Sequence, residues 1–266
     1  MDLICPICGS KLNTAGKSMV CPGNHCFDIA RQGYVNLLTV QQKHSAHPGD
    51  TGAQVLSRRA FLEGGYYAPI ADTLIETARQ LGVSGEMLDV GCGEGYYSAR
   101  LAAALGLKLT GMDISREAVR CAAGKYKDAR WLCATAAHIP VESHCCSLVT
   151  SLFALTVPEE FRRVLRQEGY FFQVLAGEDH LLGLKSIIYD RLIEKPKNTV
   201  PDLPGFALVS SVPIRFSFTV EGEQVENLLS MTPHVFRIGK DGARRLHETK
   251  TLTDTASCVL NVFRPQ

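Results

Sequence analysis

The sequence lacks a long apolar segment and carries almost no net charge. No run in its 266 residues is apolar enough to span a membrane, and residues 1–4 lead straight into Cys5 without the basic and apolar stretches of a signal peptide. Lysine and arginine number 28 against 27 aspartates and glutamates, a formal charge of +1. We therefore expect a cytoplasmic protein with no membrane partner, in which any contact with nucleic acid depends on a local basic patch.

The ten cysteines are not expected to form a disulfide framework, because the chain shows no export signal. They are expected to bind metal or to be ordinary thiols. Six of them show no metal-ligand spacing and are interpreted as ordinary thiols: Cys92, Cys121, Cys133, Cys145, Cys146 and Cys258. The remaining four lie near the beginning of the chain.

A glycine-rich turn at residues 91–95 follows a short apolar stretch that contains one acid, Asp89. Gly91, Gly93 and Gly95 stand at every second position, and a helix-like run follows them. Glycine is needed in such a turn because it tolerates positive φ and lets a ligand approach the backbone closely. The N-terminus of the next helix offers unpaired N–H groups to an anionic group. The pattern predicts a strand, a tight turn and a helix that together bind a ligand.

The next strand ends at Asp113, where a carboxylate is placed to accept hydrogen bonds from ribose hydroxyls. The glycine spacing is G-x-G-x-G, with Tyr96 where a dinucleotide fingerprint carries its third glycine. A glycine loop with an acid after the following strand resembles the class I S-adenosylmethionine (SAM) methyltransferases. The resemblance implies that SAM is the cofactor and that Asp89 lies near its methionine end.

Strands and helices alternate through the middle of the chain. Predicted helices cover 68–81, 94–105, 115–125 and 158–165, and predicted strands cover 87–90, 107–112, 131–134, 147–151 and 170–175. A further helix is expected to start at Glu178, with acids in its first turn, and alternating strands follow between 206 and 263. The alternation predicts an α/β fold with a doubly wound, Rossmann-like parallel sheet and a ligand at the carboxyl ends of its strands.

Cysteines near the N-terminus have the spacing of a zinc site. Cys5 and Cys8 form one close pair, and Cys21 precedes the adjacent His25 and Cys26 by a short turn. Two such pairs on turns, a dozen residues apart, are what tetrahedral zinc requires. Cys5, Cys8 and Cys21 supply three ligands, and the fourth is either His25 or Cys26. Four protein ligands leave no position for water, so we expect one structural zinc ion.

The run at residues 27–38, FDIARQGYVNLL, follows the cysteines directly. Together with Pro48-Gly49-Asp50, the stretch RRAFL at 58–62 and LDVGCGEGYY at 88–97, it resembles the RlmA family of 23S rRNA (guanine-N1)-methyltransferases. The resemblance covers most of the chain. It implies a SAM-dependent enzyme that methylates N1 of a guanine in a hairpin loop of 23S rRNA, and it allows a homodimer. It also implies that the fourth zinc ligand is His25.

The family resemblance adds two residues to the expected cofactor site, Tyr67 and His180. The full expected set is Tyr67, Asp89, Gly91, Gly93, Glu94, Gly95, Asp113 and His180. A guanine N1 carries a proton that must be lost, and the candidate acceptors in the sequence are Asp50, Glu94 and His180.

The segment after the fourth predicted strand, residues 151–156, is expected to meet the target base. Phe153 supplies an aromatic ring that can stack on a flipped base. The family pattern has proline where this chain has Leu155, which marks a local departure. The Asn/Asp-Pro-Pro-Tyr motif of enzymes that methylate exocyclic nitrogens is absent here, which fits a ring-nitrogen target.

The expected organisation has three parts: a zinc-binding, RNA-docking module at 1–38, a linker loop and connecting helix at 39–67, and the methyltransferase domain at 68–266. Residues 1–60 contain six basic and three acidic side chains, a local excess of +3. Lys43, Arg58 and Arg59, with His44 and His47, are candidates for contacts with rRNA. The alternative is that Arg58 and Arg59 pair with acids and hold the two units together.

Two other functions are compatible with parts of this sequence. A catalytically inactive RNA-binding or ribosome assembly factor would retain the cofactor fold, and Leu155 favours it, whereas the intact glycine loop with Asp89 and Asp113 opposes it. A small-molecule SAM methyltransferase would share the glycine loop. The zinc module opposes that function, because such an enzyme has little use for an RNA-docking element.

Overall fold

A computed structural model describes residues 1–43, 45, 48–192 and 196–266 of the chain. His44 and His47, which the sequence placed in a basic loop, lie outside the described residues. In the part of the chain that is described, no helix is both long and apolar enough to cross a lipid bilayer.

The N-terminal residues form a small antiparallel sheet of three strands in sequential order. These are β1 (Asn13–Ala15), β2 (Ser18–Val20) and β3 (Cys26–Asp28). The module is attached to the rest of the protein through its first residues, because Leu3 forms a β-bridge with Val141 and the Ile4 N–H donates to the Pro140 carbonyl over 3.0 Å. Leu3 is almost fully buried in that contact.

The chain leaves the module through a short strand that belongs to the large sheet. This strand, β4 (Val35–Asn36), forms one edge of the large sheet and pairs in parallel with the strand at Arg130–Cys133. The predicted module boundary at residue 38 therefore follows a segment that is already part of the large sheet. Helix α1 (Gly52–Glu63) then covers the predicted connecting helix, and a capping box formed by Thr51 and Gln54 fixes its start.

The large sheet has eight strands with helices on both faces, and the expected class I SAM methyltransferase fold is confirmed. After β4 the strands are β5 (Glu86–Val90), β6 (Lys108–Asp113), β7 (Arg130–Cys133), β8 (Cys146–Leu152), β9 (Leu165–Ala176), β10 (Phe206–Glu221) and β11 (Thr251–Pro265). The helices after α1 are α2 (Ala68–Gln80), α3 (Tyr96–Leu105), α4 (Arg116–Lys125), α5 (Pro158–Val164), α6 (Leu182–Ile188), α7 (Glu223–Ser230) and α8 (Lys240–Glu248). The spatial order is β10-β11-β9-β8-β5-β6-β7-β4, so the chain reverses direction across the sheet at β5. A ligand is expected at the carboxyl ends of the strands at that reversal.

The expectation of a parallel sheet holds for β4 to β9 and is wrong for the last two strands. β11 pairs antiparallel with both β9 and β10, which makes the sheet mixed. Buried and more exposed positions alternate along much of β11, the pattern of a strand with one solvated face. The tail therefore extends the sheet on the β9 side.

The predicted helix start at Glu178 is also wrong, because α6 begins four residues later, at Leu182. The acid that serves its N-terminus comes from β11. Both carboxylate oxygens of Asp254 accept backbone N–H groups of this helix, from Gly183 over 3.0 Å and from Leu184 over 2.6 Å. A tertiary contact thus replaces the local acids at the helix start.

The single tryptophan of the chain packs against two glycines near the end of β6. A Cβ added at Gly111 would lie 2.3 Å from Cζ3 of Trp131, and one added at Gly95 would lie 2.6 Å from its Cη2. The Trp131 indole N–H donates to the Tyr126 carbonyl over 2.9 Å. The glycine loop therefore rests directly on the buried core of the domain.

Candidate functional site

The glycine loop between β5 and α3 has the backbone conformation that its sequence predicts. Gly91, Gly93 and Gly95 all have positive φ angles, of +80°, +55° and +87°. The loop is also crowded on one side, since a Cβ at Gly91 would lie 2.5 Å from Cβ of Ala154. This contact brings the loop against the segment that follows β8.

Asp113 connects the glycine loop to the end of β6. Its Oδ2 accepts the N–H of Gly93 and its Oδ1 accepts the N–H of Ser115, each over 2.8 Å. Burial raises the pKa of this carboxyl group. Each carboxylate oxygen has two acceptor sites, so capacity remains for hydroxyl groups of a ligand.

Asp89 lies beneath the loop and is almost fully buried. Thr150 stands opposite it on β8 and donates its hydroxyl to Asp89 Oδ1 over 2.6 Å. Burial raises the pKa of Asp89 to about 6, although the Thr150 hydrogen bond favours the charged form. Thr150 was not among the predicted site residues, and its signal in the sequence is a hydroxyl residue inside an apolar strand.

Several buried polar atoms beside the loop have no hydrogen-bond partner among the described residues. They are both carboxylate oxygens of Glu94 and the hydroxyl groups of Tyr67, Tyr96 and Tyr97. Glu94 is only 2% exposed, and burial raises its pKa. Buried polar groups are nearly always paired in folded proteins, so unpaired ones beside a glycine loop fit a polar ligand. SAM fits them, because its ammonium group suits a carboxylate and its carboxylate suits hydroxyl donors.

His180 lies in the turn before α6 and packs between two aromatic rings. Its ring centroid is 6.2 Å from that of Tyr67 and 6.1 Å from that of Phe153, with an angle of 26° to the Phe153 ring. Its Nδ1 accepts the N–H of Ser257 over 3.2 Å, so the neutral ring carries its proton on Nε2. Burial, followed by the charges of Lys185 and Lys197, lowers the pKa of His180 to about 4. At neutral pH this side chain therefore offers a hydrogen-bond donor.

Phe153 follows β8 in a conformation that is uncommon for a residue with a side chain. Its φ is +54°, and its side chain is 41% exposed. The N–H of Phe153 donates to the Val174 carbonyl over 2.9 Å, which holds the backbone at this bend. Leu155, where the family pattern has proline, is 71% exposed, and its carbonyl accepts the Ser151 hydroxyl over 3.4 Å.

The linker after the zinc module covers another side of the glycine loop. Asp50 is bound to Arg58, with Oδ2 and Nη2 2.7 Å apart, and its carbonyl accepts the Ser115 hydroxyl over 2.6 Å. The Arg58 Cδ atom lies 3.8 Å from the position of a Cβ at Gly93. Arg58 is therefore part of the wall beside the loop, a place that the sequence analysis did not assign to it.

Arg59 also forms an ion pair, with Glu63 over 2.7 Å, and its guanidinium lies 3.5 Å from the Cys121 sulfur on α4. The predicted pairing of Arg58 and Arg59 with acids is therefore observed, but both acids belong to the same linker segment as the arginines. Lys11, another basic residue of the module, pairs with Asp2. These three ion pairs are local, and the contact of Arg59 with the large domain is the one to Cys121.

The four predicted zinc ligands come together in the N-terminal module. His25 Nδ1 lies 3.4 Å from the sulfur atoms of both Cys5 and Cys21, and the sulfurs of Cys8 and Cys21 are 3.6 Å apart. All four ligand atoms lie within 4.8 Å of one another. Tetrahedral zinc with bonds of about 2.0–2.3 Å separates its ligand atoms by about 3.5–3.8 Å, so the group fits zinc. Cys26, the other candidate for the fourth ligand, is exposed and lies outside this group.

Two family models match the chain, one on each side of the linker helix. Residues 3–46 match a zinc-ribbon family described as "RlmA, N-terminal". Residues 87–169 match a family described as "Methyltransferase domain". The two matches coincide with the cysteine–histidine group and with the strands that carry the glycine loop and Phe153.

Similar proteins match both parts together. The chain is 31% identical to the 23S rRNA (guanine(748)-N(1))-methyltransferase of Streptomyces fradiae, over 99% of this chain and 96% of that one. It is 30% identical to YxjB of Bacillus subtilis, proposed to be a 23S rRNA (guanine-N(1)-)-methyltransferase, over 93% and 91% of the two chains. A solved structure from Anaeromyxobacter dehalogenans, proposed to be a type II methyltransferase, has a TM-score of 0.52 at 20% identity over 72% of this chain and 97% of that one, and supports the fold alone.

The buried Asp89 makes folding depend on pH in an unusual direction. Its pKa is about 6 in the folded protein, against 3.8 without burial, so the native state binds more protons between these values. Its contribution to the free energy of unfolding therefore falls by about 3 kcal/mol as the pH rises through this window. Asp89→Asn lacks this titration, and its stability relative to the wild type should increase by roughly 2 kcal/mol from pH 4 to pH 7.

Urea unfolding of both proteins without cofactor, at intervals from pH 4 to pH 7, measures the difference. Thr150→Val removes the hydrogen bond that favours the charged carboxylate, so it should move the decline to higher pH. Parallel stability curves for the wild type and Asp89→Asn would show that the folded protein holds Asp89 with an ordinary pKa.

Zinc binding and SAM binding are expected to depend on different residues, so variants of the zinc ligands can test them separately. Cys8→Ser or Cys21→Ser should lose the metal, whereas Cys26→Ser, which changes a neighbouring thiol outside the group, should retain one zinc per chain. Affinity for SAM should stay near the wild-type value in all three, since the glycine loop lies in another folded unit. Metal analysis and calorimetry of purified variants measure both quantities. Retention of zinc by Cys21→Ser with loss by Cys26→Ser would reassign the ligand set.

Proposed function

This chain belongs to the family of 23S rRNA (guanine-N1)-methyltransferases, and on that premise we propose that it methylates N1 of a guanine in a hairpin loop of 23S rRNA. The observation that carries the proposal is the similarity to the Streptomyces fradiae enzyme over 99% of the chain, which includes the zinc module and the cofactor fold together. A resemblance confined to the glycine loop would not distinguish an RNA substrate from a small molecule.

We propose that SAM binds across the ends of β5 and β6. Asp113 would accept hydrogen bonds from the ribose hydroxyls, and Gly91, Gly93 and Gly95 would let the cofactor approach the backbone. The methionine end would meet the unpaired groups of Tyr67, Glu94 and Tyr97, together with His180, and Asp89 would lie beneath it. Bound SAM supplies an electrophilic methyl group, and the role of these residues is to hold it at a fixed position.

We propose that Phe153 receives the target guanine. N1 lies on the Watson–Crick edge, so the base must be unpaired or flipped out before it can react. The exposed Phe153 ring stacks on His180, which lies beside Tyr67 of the proposed cofactor pocket. A guanine that is flipped out of the rRNA and stacked on Phe153 would therefore lie next to the cofactor pocket. In-line placement of N1 against the methyl group then accounts for most of the rate.

The proton on N1 must leave during the reaction, and the three predicted acceptors have different surroundings. His180 presents an N–H group at neutral pH, which suits it to donate a hydrogen bond to the base or cofactor. Asp50 is held by Arg58, and burial raises the pKa of Glu94, with smaller effects from the charges of α1 and α4. We propose that water accepts the proton and that these side chains position the reactants. Asp50, Glu94 and His180 remain the protein alternatives.

The zinc module is proposed to hold the rRNA against the cleft. It is joined to the large sheet through β4 and through the bridge between Leu3 and Val141, so it presents a fixed surface beside the catalytic domain. Lys43, in the linker, is the proposed phosphate contact. We also propose a homodimer, on the basis of the family resemblance.

The two alternatives explain less of the molecule. An inactive assembly factor would not need to keep the complete loop, Asp113 and the unpaired groups beside them. A small-molecule substrate would not explain the presence of the zinc module.

Primer extension across 23S rRNA tests the proposed function directly. A methyl group on guanine N1 blocks reverse transcription, so rRNA from cells with the protein should give a stop that disappears when the protein is removed. Wild-type protein should restore the stop, and Phe153→Ala should restore it only weakly because the stacking surface is lost. Identical stops across 23S rRNA with and without the protein would contradict the proposal.

A further inference from the structure

A row of polar side chains crosses the β9 side of the large sheet, inside an otherwise apolar region. It contains one residue from each of four neighbouring strands, paired in register: Ser151 on β8, Gln173 on β9, Asn261 on β11 and Ser211 on β10. Asn261 is 0% exposed, and Ser151 and Gln173 are almost as deeply buried. Burial of amide groups costs free energy unless their hydrogen bonds are made, so this row needs a reason.

Three residues of the row, Ser211, Asn261 and Gln173, form a chain of hydrogen bonds with one direction. The Ser211 hydroxyl donates to Asn261 Oδ1 over 2.7 Å, and Asn261 Nδ2 donates to Gln173 Oε1 over 3.4 Å. Gln173 Nε2 then donates to the Thr156 hydroxyl over 2.9 Å. Asn261 Nδ2 also donates to the carbonyl of Thr199 over 2.7 Å. Both amides are therefore oriented by their partners.

The chain of hydrogen bonds ends on the segment that carries Phe153. Thr156 is the last residue of that segment, three positions after Phe153 and two after Ala154. Ala154 fills the space that a side chain at Gly91 would need. The position of Thr156 thus influences where the exposed Phe153 ring lies and how Ala154 packs against the glycine loop.

The backbone of residues 151–156 needs a restraint from elsewhere in the protein, because its own residues do little to fix its conformation. The left-handed conformation is unfavourable for a residue other than glycine, because its Cβ approaches the following carbonyl oxygen, and Phe153 has φ of +54°. Proline at position 155 would fix the backbone locally, but this chain has Leu155 there, with its side chain largely in solvent. The Gln173–Thr156 hydrogen bond joins the segment to the centre of the sheet in place of that local restraint.

We propose that Gln173 and Asn261 are positioning residues for methyl transfer, which act through Thr156 to fix the Phe153 ring against the target guanine. The inference rests on the proposed function, since the guanine is the group that Phe153 receives. It assigns a role to residues outside both the cofactor site and the zinc site. If the row only satisfied buried amides, its loss would reduce stability without a selective effect on the rRNA reaction.

The test compares Thr156→Val, which removes the hydroxyl at nearly constant shape, with Thr156→Ser, which retains it. The substrate is 23S rRNA purified from cells that lack the protein, and kcat, KM for rRNA and Kd for SAM are measured for the full chain. Thr156→Val should lower kcat/KM for rRNA by about 10–100-fold, the cost of misplacing a reacting group, while Kd for SAM changes little. Thr156→Ser should stay within a few-fold of the wild type.

A double-variant cycle identifies the hydrogen bond itself. Gln173→Met should reproduce the defect of Thr156→Val, and the variant with both changes should be no worse than the more impaired single variant, because both remove one interaction. Additive losses would assign the effects to separate causes and overturn the proposal. So would a wild-type kcat/KM for folded Thr156→Val, or equal defects in Thr156→Val and Thr156→Ser.

A second measurement does not depend on methyl transfer. The indole introduced by Phe153→Trp reports its own mobility through fluorescence anisotropy, against the constant signal of the buried Trp131. Adding Thr156→Val should increase that mobility, and adding Thr156→Ser should leave it unchanged. If the wild-type protein methylated no 23S rRNA, the proposed function would fail, and unchanged mobility in the Thr156→Val background would independently overturn the positioning role.

Discussion

Two hydrogen bonds to the Asp113 carboxylate join the parts of the molecule that form the cofactor cleft. One comes from Gly93 in the glycine loop and the other from Ser115 at the start of α4, each over 2.8 Å. The Ser115 hydroxyl in turn donates to the carbonyl of Asp50 in the linker over 2.6 Å. A partly buried acid at the end of β6 therefore joins the loop to the start of α4, and Ser115 extends this connection to the segment that leads back to the zinc module.

The glycine loop is held equally closely on its other side. Ala154 occupies the space that a side chain at Gly91 would need, and the neighbouring Phe153 stacks on His180. In the proposed function, the loop therefore lies between the cofactor pocket and the surface that receives the base. The Gln173–Thr156 hydrogen bond supports the segment after β8 from the centre of the sheet.

The order of strands and helices, the glycine turn and three zinc ligands could be predicted from the sequence, because each depends on local spacing and periodicity. The fourth ligand, His25, was implied by the family resemblance, since spacing left Cys26 as an alternative. Predictions failed where a distant residue decides the structure. The start of α6 follows Asp254, 72 positions beyond Leu182, and β11 makes the sheet mixed. Arg58 was interpreted by charge alone, whereas its role beside Gly93 depends on how the linker folds back. Thr150 and Gln173 belong to no sequence motif, and the strand register alone places Thr150 opposite Asp89 and Gln173 opposite Ser151.

Calorimetric titration of SAM into Asp113→Ala, compared with the wild type, tests this account most directly. If Asp113 both binds the ribose and holds the glycine loop, its loss should weaken binding by about 1–3 kcal/mol, the size of one or two charge-assisted hydrogen bonds. Circular dichroism and retained zinc verify that the variant is folded. Unchanged affinity for SAM in the folded variant would contradict the account, because the cofactor would then bind away from the end of β6.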